Sequence, residues 1–139
     1  MLNRLGLAGL IAMSLYAIAS HASEWRNIGT DDKGNIWAVA RASIVAEGKI
    51  VRSWTRIDFK VQQPYPPNGE LIKQVLSVNV VNCDKHQIGV KASRLLRVDG
   101  SVITAHEDID SNIQWQTVAP DTVVEKTMSY VCANTKYRK

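Results

Sequence analysis

From Ile50 to Val61 the side chains alternate with a period of two. Val51, Ile57, Phe59 and Val61, with Ser53 and Thr55 between them, fall on one face; Arg52, Trp54, Arg56, Asp58 and Lys60 fall on the other. A helical face repeats about every 3.6 residues and cannot produce that pattern. A strand in a sheet with one buried and one wet face can. This single stretch therefore commits the chain to a sheet, and the remaining segments have to supply its neighbours.

They do so at regular intervals. Trp25 to Ile28 is a short first strand, closed by the turn-rich run from Gly29 to Asn35. Ile36 to Arg41 is a second, and Ala46-Glu47-Gly48-Lys49 turns into the long third strand. Pro64, Pro66 and Pro67 lack amide donors, so the segment from Gln62 to Gly69 reads as a loop. Leu71 to Asn82 and Gln87 to Val98 are the fourth and fifth strands. The first of these has Ile72, Leu76, Val78 and Val80 on one face; the second has Ile88, Val90, Ala92, Leu96 and Val98 on one face. Asp99-Gly100 is a two-residue hairpin signal into a sixth strand near Val102 to His106. A short segment around Ile113 to Val118 either pairs or crosses.

The period changes after Pro120. Thr122 and Glu125 match a capping box, and Val124, Met128, Val131 and Cys132 follow at helical spacing on one stripe. The fold class is therefore α+β, an antiparallel sheet of about six strands followed by one C-terminal helix.

The N-terminus sets the compartment. Arg4 precedes an uncharged run from Leu5 to Ala19, and small residues flank a cut after Ala22, the pattern of a secretory signal peptide over residues 1–22. The run is short for a membrane span, which takes about 20 residues. No cysteine follows it, so no lipid anchor is expected. The mature domain, residues 23–139, is expected as one unit, periplasmic or released to the cell surface. It carries 16 basic and 13 acidic residues, a net charge of +3 spread along the chain. That balance argues for solubility and against a nucleic-acid surface. Both cysteines, Cys83 and Cys132, lie in the exported part, where a lone pair forms one disulfide. Closing a loop of about 50 residues contributes roughly 4 kcal/mol in the chain-entropy model.

Candidate chemistry is sparse. The stretch Val80 to Ile88, "VVNCDKHQI", gathers Cys83, Asp84 and His86. A zinc site needs about four ligands, and the only other histidine of the mature segment, His106, stands apart. The cluster reads as a strand end, a staple and a turn, with His86 starting the next strand. Glu107, Asp108, Asp110 and Asn112 lack the spacing and glycine of a calcium loop. No nucleophile elbow or phosphate loop occurs, and no metal, cofactor or catalytic residue is assigned. The pattern that stands out is Arg52-x-Trp54-x-Arg56. A tryptophan flanked by guanidiniums on a wet face fits an anionic, aromatic or protein partner. Equally, Trp54 can be covered by the helix or a loop with the arginines snorkelling around it; both readings stay open on the sequence.

The order of these elements resembles the surface-adhesin protein E family of small exported bacterial domains. The resemblance is carried by Glu24-Trp25, Ile36-Trp37 and Trp54 to Phe59, "WTRIDF", and by the strand ending at Cys83. It continues through the Val98-Asp99-Gly100 turn, Trp115-x-x-Val118-Ala119-Pro120 and Tyr130-Val131-Cys132. It implies a sheet with the C-terminal helix on its concave side, tied to it by a Cys83–Cys132 bond. It also implies adhesion: binding of extracellular-matrix and serum proteins, in some cases haem, and in some cases as a homodimer. The function expected is thus a non-enzymatic, adhesin-like envelope protein binding a protein or small ligand. The alternative is a periplasmic enzyme, or an accessory or inhibitor protein, with a site the sequence does not display.

Overall fold

The computed structural model describes residues 24–137. The expected signal segment, residues 1–22, lies outside the described residues. In chain order the strands are β1 (Trp25–Thr30), β2 (Ile36–Ala40), β3 (Val45–Glu47), β4 (Ile50–Pro64), β5 (Leu71–Asn82), β6 (Gln87–Leu96), β7 (Val102–Glu107) and β8 (Gln116–Thr117). The helix α1 (Val123–Ala133) and a last strand β9 (Lys136–Tyr137) complete the chain.

Six strands form the principal sheet in the order β1-β2-β4-β5-β6-β7, every pair antiparallel. The meander follows from the turn chemistry between neighbours, since hairpin turns join antiparallel strands only. The short strands fill gaps in the same sheet. β4 is 15 residues long and outruns β2, which pairs with Thr55 to Asp58; β3 takes over opposite Ile50 to Arg52 after a 3-10 turn at Arg41–Ser43. β9 then lies parallel to β3. At the other side β7 pairs with Ala92 to Leu96, and β8 pairs with Gln87 and Ile88. The segment between β7 and β8 leaves the sheet plane.

The helix closes one face. Thr122 Oγ1 accepts from the Glu125 N–H (3.1 Å), while Glu125 Oε2 accepts from the N–H of Asp121 (2.6 Å), one residue earlier than in the standard capping box. The expected stripe is the buried stripe: Met128 and Val131 are buried, and Val124 and Cys132 pack beside them. They meet Val39, Ile44, Val51, Val81 and Val118 in the core. Cys83 and Cys132 form the disulfide, with their Cα atoms 6.1 Å apart.

Three local expectations are corrected. The hairpin at Asp99-Gly100 has three loop residues rather than two. Gly100 N–H donates to Arg97 O, Gly100 takes φ +85°, and Arg97 N–H donates to Ser101 O, the turn-plus-bulge geometry of a three-residue loop. β6 therefore ends at Leu96. His86 does not open β6. It closes the turn after Cys83 with φ +56°, and its carbonyl accepts from Val118 N–H. Finally, the face opposite the helix is wet only in part. Ala38, Val80 and Leu96 lie opposite the helix face and are buried. Over Val80 the cover is the chain between β7 and β8: a Cβ on the neighbouring Gly89 would collide with Ile113 and meet Val80 at 3.4 Å.

Candidate functional site

β4 alternates as its sequence dictates. Val51, Ser53 and Thr55 are buried towards the helix, so Arg52, Trp54 and Arg56 project together from the opposite face. Cross-strand pairing then decides what surrounds them. Val80 lies opposite Arg52, Val78 opposite Trp54 and Leu76 opposite Arg56; Ala92 follows beside Val78, and Glu107 beside Ala92. The floor around Trp54 is thus aliphatic.

Trp54 itself is half-buried, and two shallow depressions of about 280 and 190 Å³ flank it. Arg94, Ala105 and His106 line the first; Ser43, Arg52 and Lys91 line the second. The strand is pinned at this point by Ser43, whose hydroxyl accepts from the Trp54 N–H (2.8 Å) and donates to Ala40 O (2.5 Å).

The cations differ in how far they are already neutralised. Arg52 pairs with Glu47 (3.1 Å), and its Nε is buried with no partner among the described residues. Arg56 pairs with Asp58 (3.0 Å) and stacks over Trp25 with the guanidinium carbon 4.7 Å from the ring centroid. Lys91 Nζ lies 2.5 Å from Asp110 Oδ1, and this hydrogen bond, reinforced by the charge of Lys91, holds the Asp110 carboxyl below its ordinary value of 3.8. Arg94 is exposed, lies 6.0 Å over the Trp54 ring and has no ion-pair partner among the described residues. Of the four cations around Trp54 (Arg52, Arg56, Lys91 and Arg94) it alone has no ion-pair partner among the described residues.

Arg94 and Lys91 were missed by the sequence reading for one reason. A bulge between Val78 and Asn79 shifts the β5–β6 register, so the two parts of β6 do not share one alternation. Ile88 faces the helix side with Val81, while Ala92 faces the Trp54 side with Val78. A strict period of two placed Ile88 and Ala92 together. No signal in the sequence marks that bulge.

The other candidate residues do not converge. His106 Nε2 contacts Asp108 Oδ1 at 2.8 Å, Asp110 goes to Lys91, and His86 Nε2 lies 4.0 Å from Glu125 Oε1 across the molecule. Among the described residues no group of three or more His, Cys, Asp or Glu is placed to hold a metal ion.

A meander sheet tied by one disulfide to a terminal helix, with a tryptophan–arginine face opposite that helix, defines a small sheet-and-helix domain. The chain belongs to the surface-adhesin protein E family, whose model matches residues 25–133. Its fold is similar to that of Haemophilus influenzae protein E, with a TM-score of 0.57 at 13% identity over 81% of this chain and 86% of that one. Protein E from non-typeable Haemophilus influenzae aligns with a TM-score of 0.54 at 13% identity, over 80% of this chain and 76% of that one. At such identities the likeness is one of fold. No curated protein sequence matches the chain.

Proposed function

We propose that this is an exported, non-enzymatic, adhesin-like protein of the bacterial envelope that binds a protein partner, from host matrix or envelope, through the Trp54 face. Membership of the family supports the class. The observation that carries the site is Arg94: an exposed, unneutralised guanidinium over a half-buried indole, on an aliphatic floor, with Arg52 and Arg56 on the same face. Tryptophan and arginine beside apolar ground are the residue types in which binding energy concentrates. The scattering of the histidines and carboxylates supports binding over catalysis, which needs an acid or base within reach of one reacting atom. Export rests on the N-terminal segment; among the described residues no helix is long and apolar enough to cross a membrane.

The test is solid-phase binding of the mature domain, residues 23–139, to purified extracellular-matrix, serum and envelope proteins. Arg94→Ala removes an exposed side chain with no ion pair to break, so the fold is kept. Loss of a binding hot spot is expected to weaken capture about tenfold. Trp54→Ala is expected to do the same. Unchanged capture by both variants, with unchanged circular dichroism, would remove this face from the reading. Absence of any partner would remove the adhesin reading itself.

A further inference from the structure

The helix side of the sheet carries a second cleft that the Trp54 face does not explain. It has a volume of about 350 Å³; Trp37, Ile88, Val90 and Val124 give it apolar walls, and Asn79, Asp108, Gln114 and Gln116 also line it. Its position follows from the topology. The helix covers the sheet only as far as Val123 and Val124, and β1 contributes Gly29 beside Trp37. The indole therefore has no side chain next to it on that strand.

Three features restrict what can occupy the cleft. The first is the orientation of Trp37. Its Nε1–H donates to Asp31 Oδ2 (3.2 Å), and the same carboxylate accepts from the Asn35 side chain and from the backbone N–H groups of Lys33 and Asn35, each at 3.0 Å. The ring is fixed and its donor is used, so only its apolar surface is left to offer. The second is a set of unused planar polar groups. Asn79 is buried, at 6% exposure, and gives its amide to Thr55 Oγ1 (2.8 Å) while its carbonyl oxygen has no partner among the described residues. Gln114 and Gln116 make no side-chain hydrogen bond among the described residues. The third is charge. No lysine, arginine or histidine lines the cleft, which disfavours an anion; the one charged group lining it, Asp108, is an acceptor whose Oδ1 already meets His106 Nε2 at 2.8 Å, so only Oδ2 is left to a ligand.

A fixed indole surface, amides that both donate and accept, a carboxylate acceptor and no cation form the set that a sugar ring needs. The C–H face of a pyranose packs on an aromatic plane, and its vicinal hydroxyls pair with planar amides and carboxylates. Ile88, Val90 and Val124 add an aliphatic wall that fits an acetamido methyl. A cleft of this volume is at the lower end for small-molecule sites, room for one or two rings. We infer that the cleft beside Trp37 binds a neutral saccharide, with an N-acetylated ring preferred, independently of the Trp54 face.

The experiment is a titration of the ¹⁵N-labelled mature domain with N,N′-diacetylchitobiose, cellobiose and, as an apolar control, lauric acid, followed by the indole N–H signals of Trp37 and Trp54. Binding at millimolar disaccharide is expected to shift Trp37 and leave Trp54 in place, with chitobiose ahead of cellobiose. Val90 is 48% exposed at the cleft, so Val90→Arg fills the opening without touching the core. Gln116→Ala removes one amide from an exposed position. Each is expected to weaken disaccharide binding about tenfold, the effect of losing one well-made contact of about 1.4 kcal/mol, with an unchanged spectrum elsewhere. Trp54→Ala is expected to change nothing, which separates this site from the protein-binding face. Three outcomes overturn the inference: no shift of Trp37 with either disaccharide, equal binding by Val90→Arg, or binding of lauric acid alone.

Discussion

Trp54 and Gly89 illustrate how a residue's role is set by what lies across from it. Trp54 is half-buried, with aliphatic cross-strand neighbours beside it and Arg94 over its ring. Gly89 has a negative or extended backbone and needs no special conformation. It is required because Ile113 and the carbonyl of Gln114 press against its Cα, and an added Cβ would sit 3.3 Å from that carbonyl. Gly89→Ala should therefore overpack the site and destabilise the domain by about 1–3 kcal/mol, measured as a lower midpoint in urea with an unchanged slope. A neutral substitution would mean that the 108–115 segment is not seated on the sheet. Neither role is visible in the chain alone, because the alternation records only which side of a strand a residue occupies.

At the scale of elements, the helix was legible from its start and its buried stripe, and the strands less evenly so. The Thr122 cap and the Met128–Val131 stripe rest on contacts within one turn of the chain. Thr122→Ala should cost about 1 kcal/mol, read as a drop in thermal midpoint, and Thr122→Ser should restore most of it. β5 has the expected limits because turn residues bound it on both sides. β3 and the continuation of β4 to Pro64 were not anticipated, since their pairing depends on β4 outrunning β2. The disulfide joins the last turn of the helix to the end of β5 over 49 positions of sequence. Replacing both cysteines by serine should remove roughly 4 kcal/mol; a double variant as stable as the parent in denaturant would show that packing alone holds the helix.

Over the whole molecule, several surface carboxylates are tuned in the same direction. A hydrogen bond from Arg97 lowers Glu70 from its ordinary 4.5, one from Ser101 lowers Asp99 from 3.8, and the Lys91 bond lowers Asp110. Burial pushes Asp31 up, yet the hydrogen bonds from Asn35, Trp37 and Lys33 outweigh it and leave a net lowering from 3.8. Groups lowered on folding stabilise above their unfolded values and lose that contribution as pH falls through the folded ones. Stability should hold from neutral pH to about pH 5 and decline on further acidification; a thermal midpoint unchanged down to pH 3 would contradict this. The fold class, the helix and the face shared by Arg52, Trp54 and Arg56 were legible in the chain because each depends on short-range spacing, and the disulfide was legible because the exported part holds only two cysteines. That this face is partly roofed, that Arg94 and Lys91 join it and that a cleft opens beside Trp37 emerge only on folding. Those depend on a bulge, a strand overhang and a returning loop, which are set by contacts between residues far apart in the chain and leave no periodic trace in it.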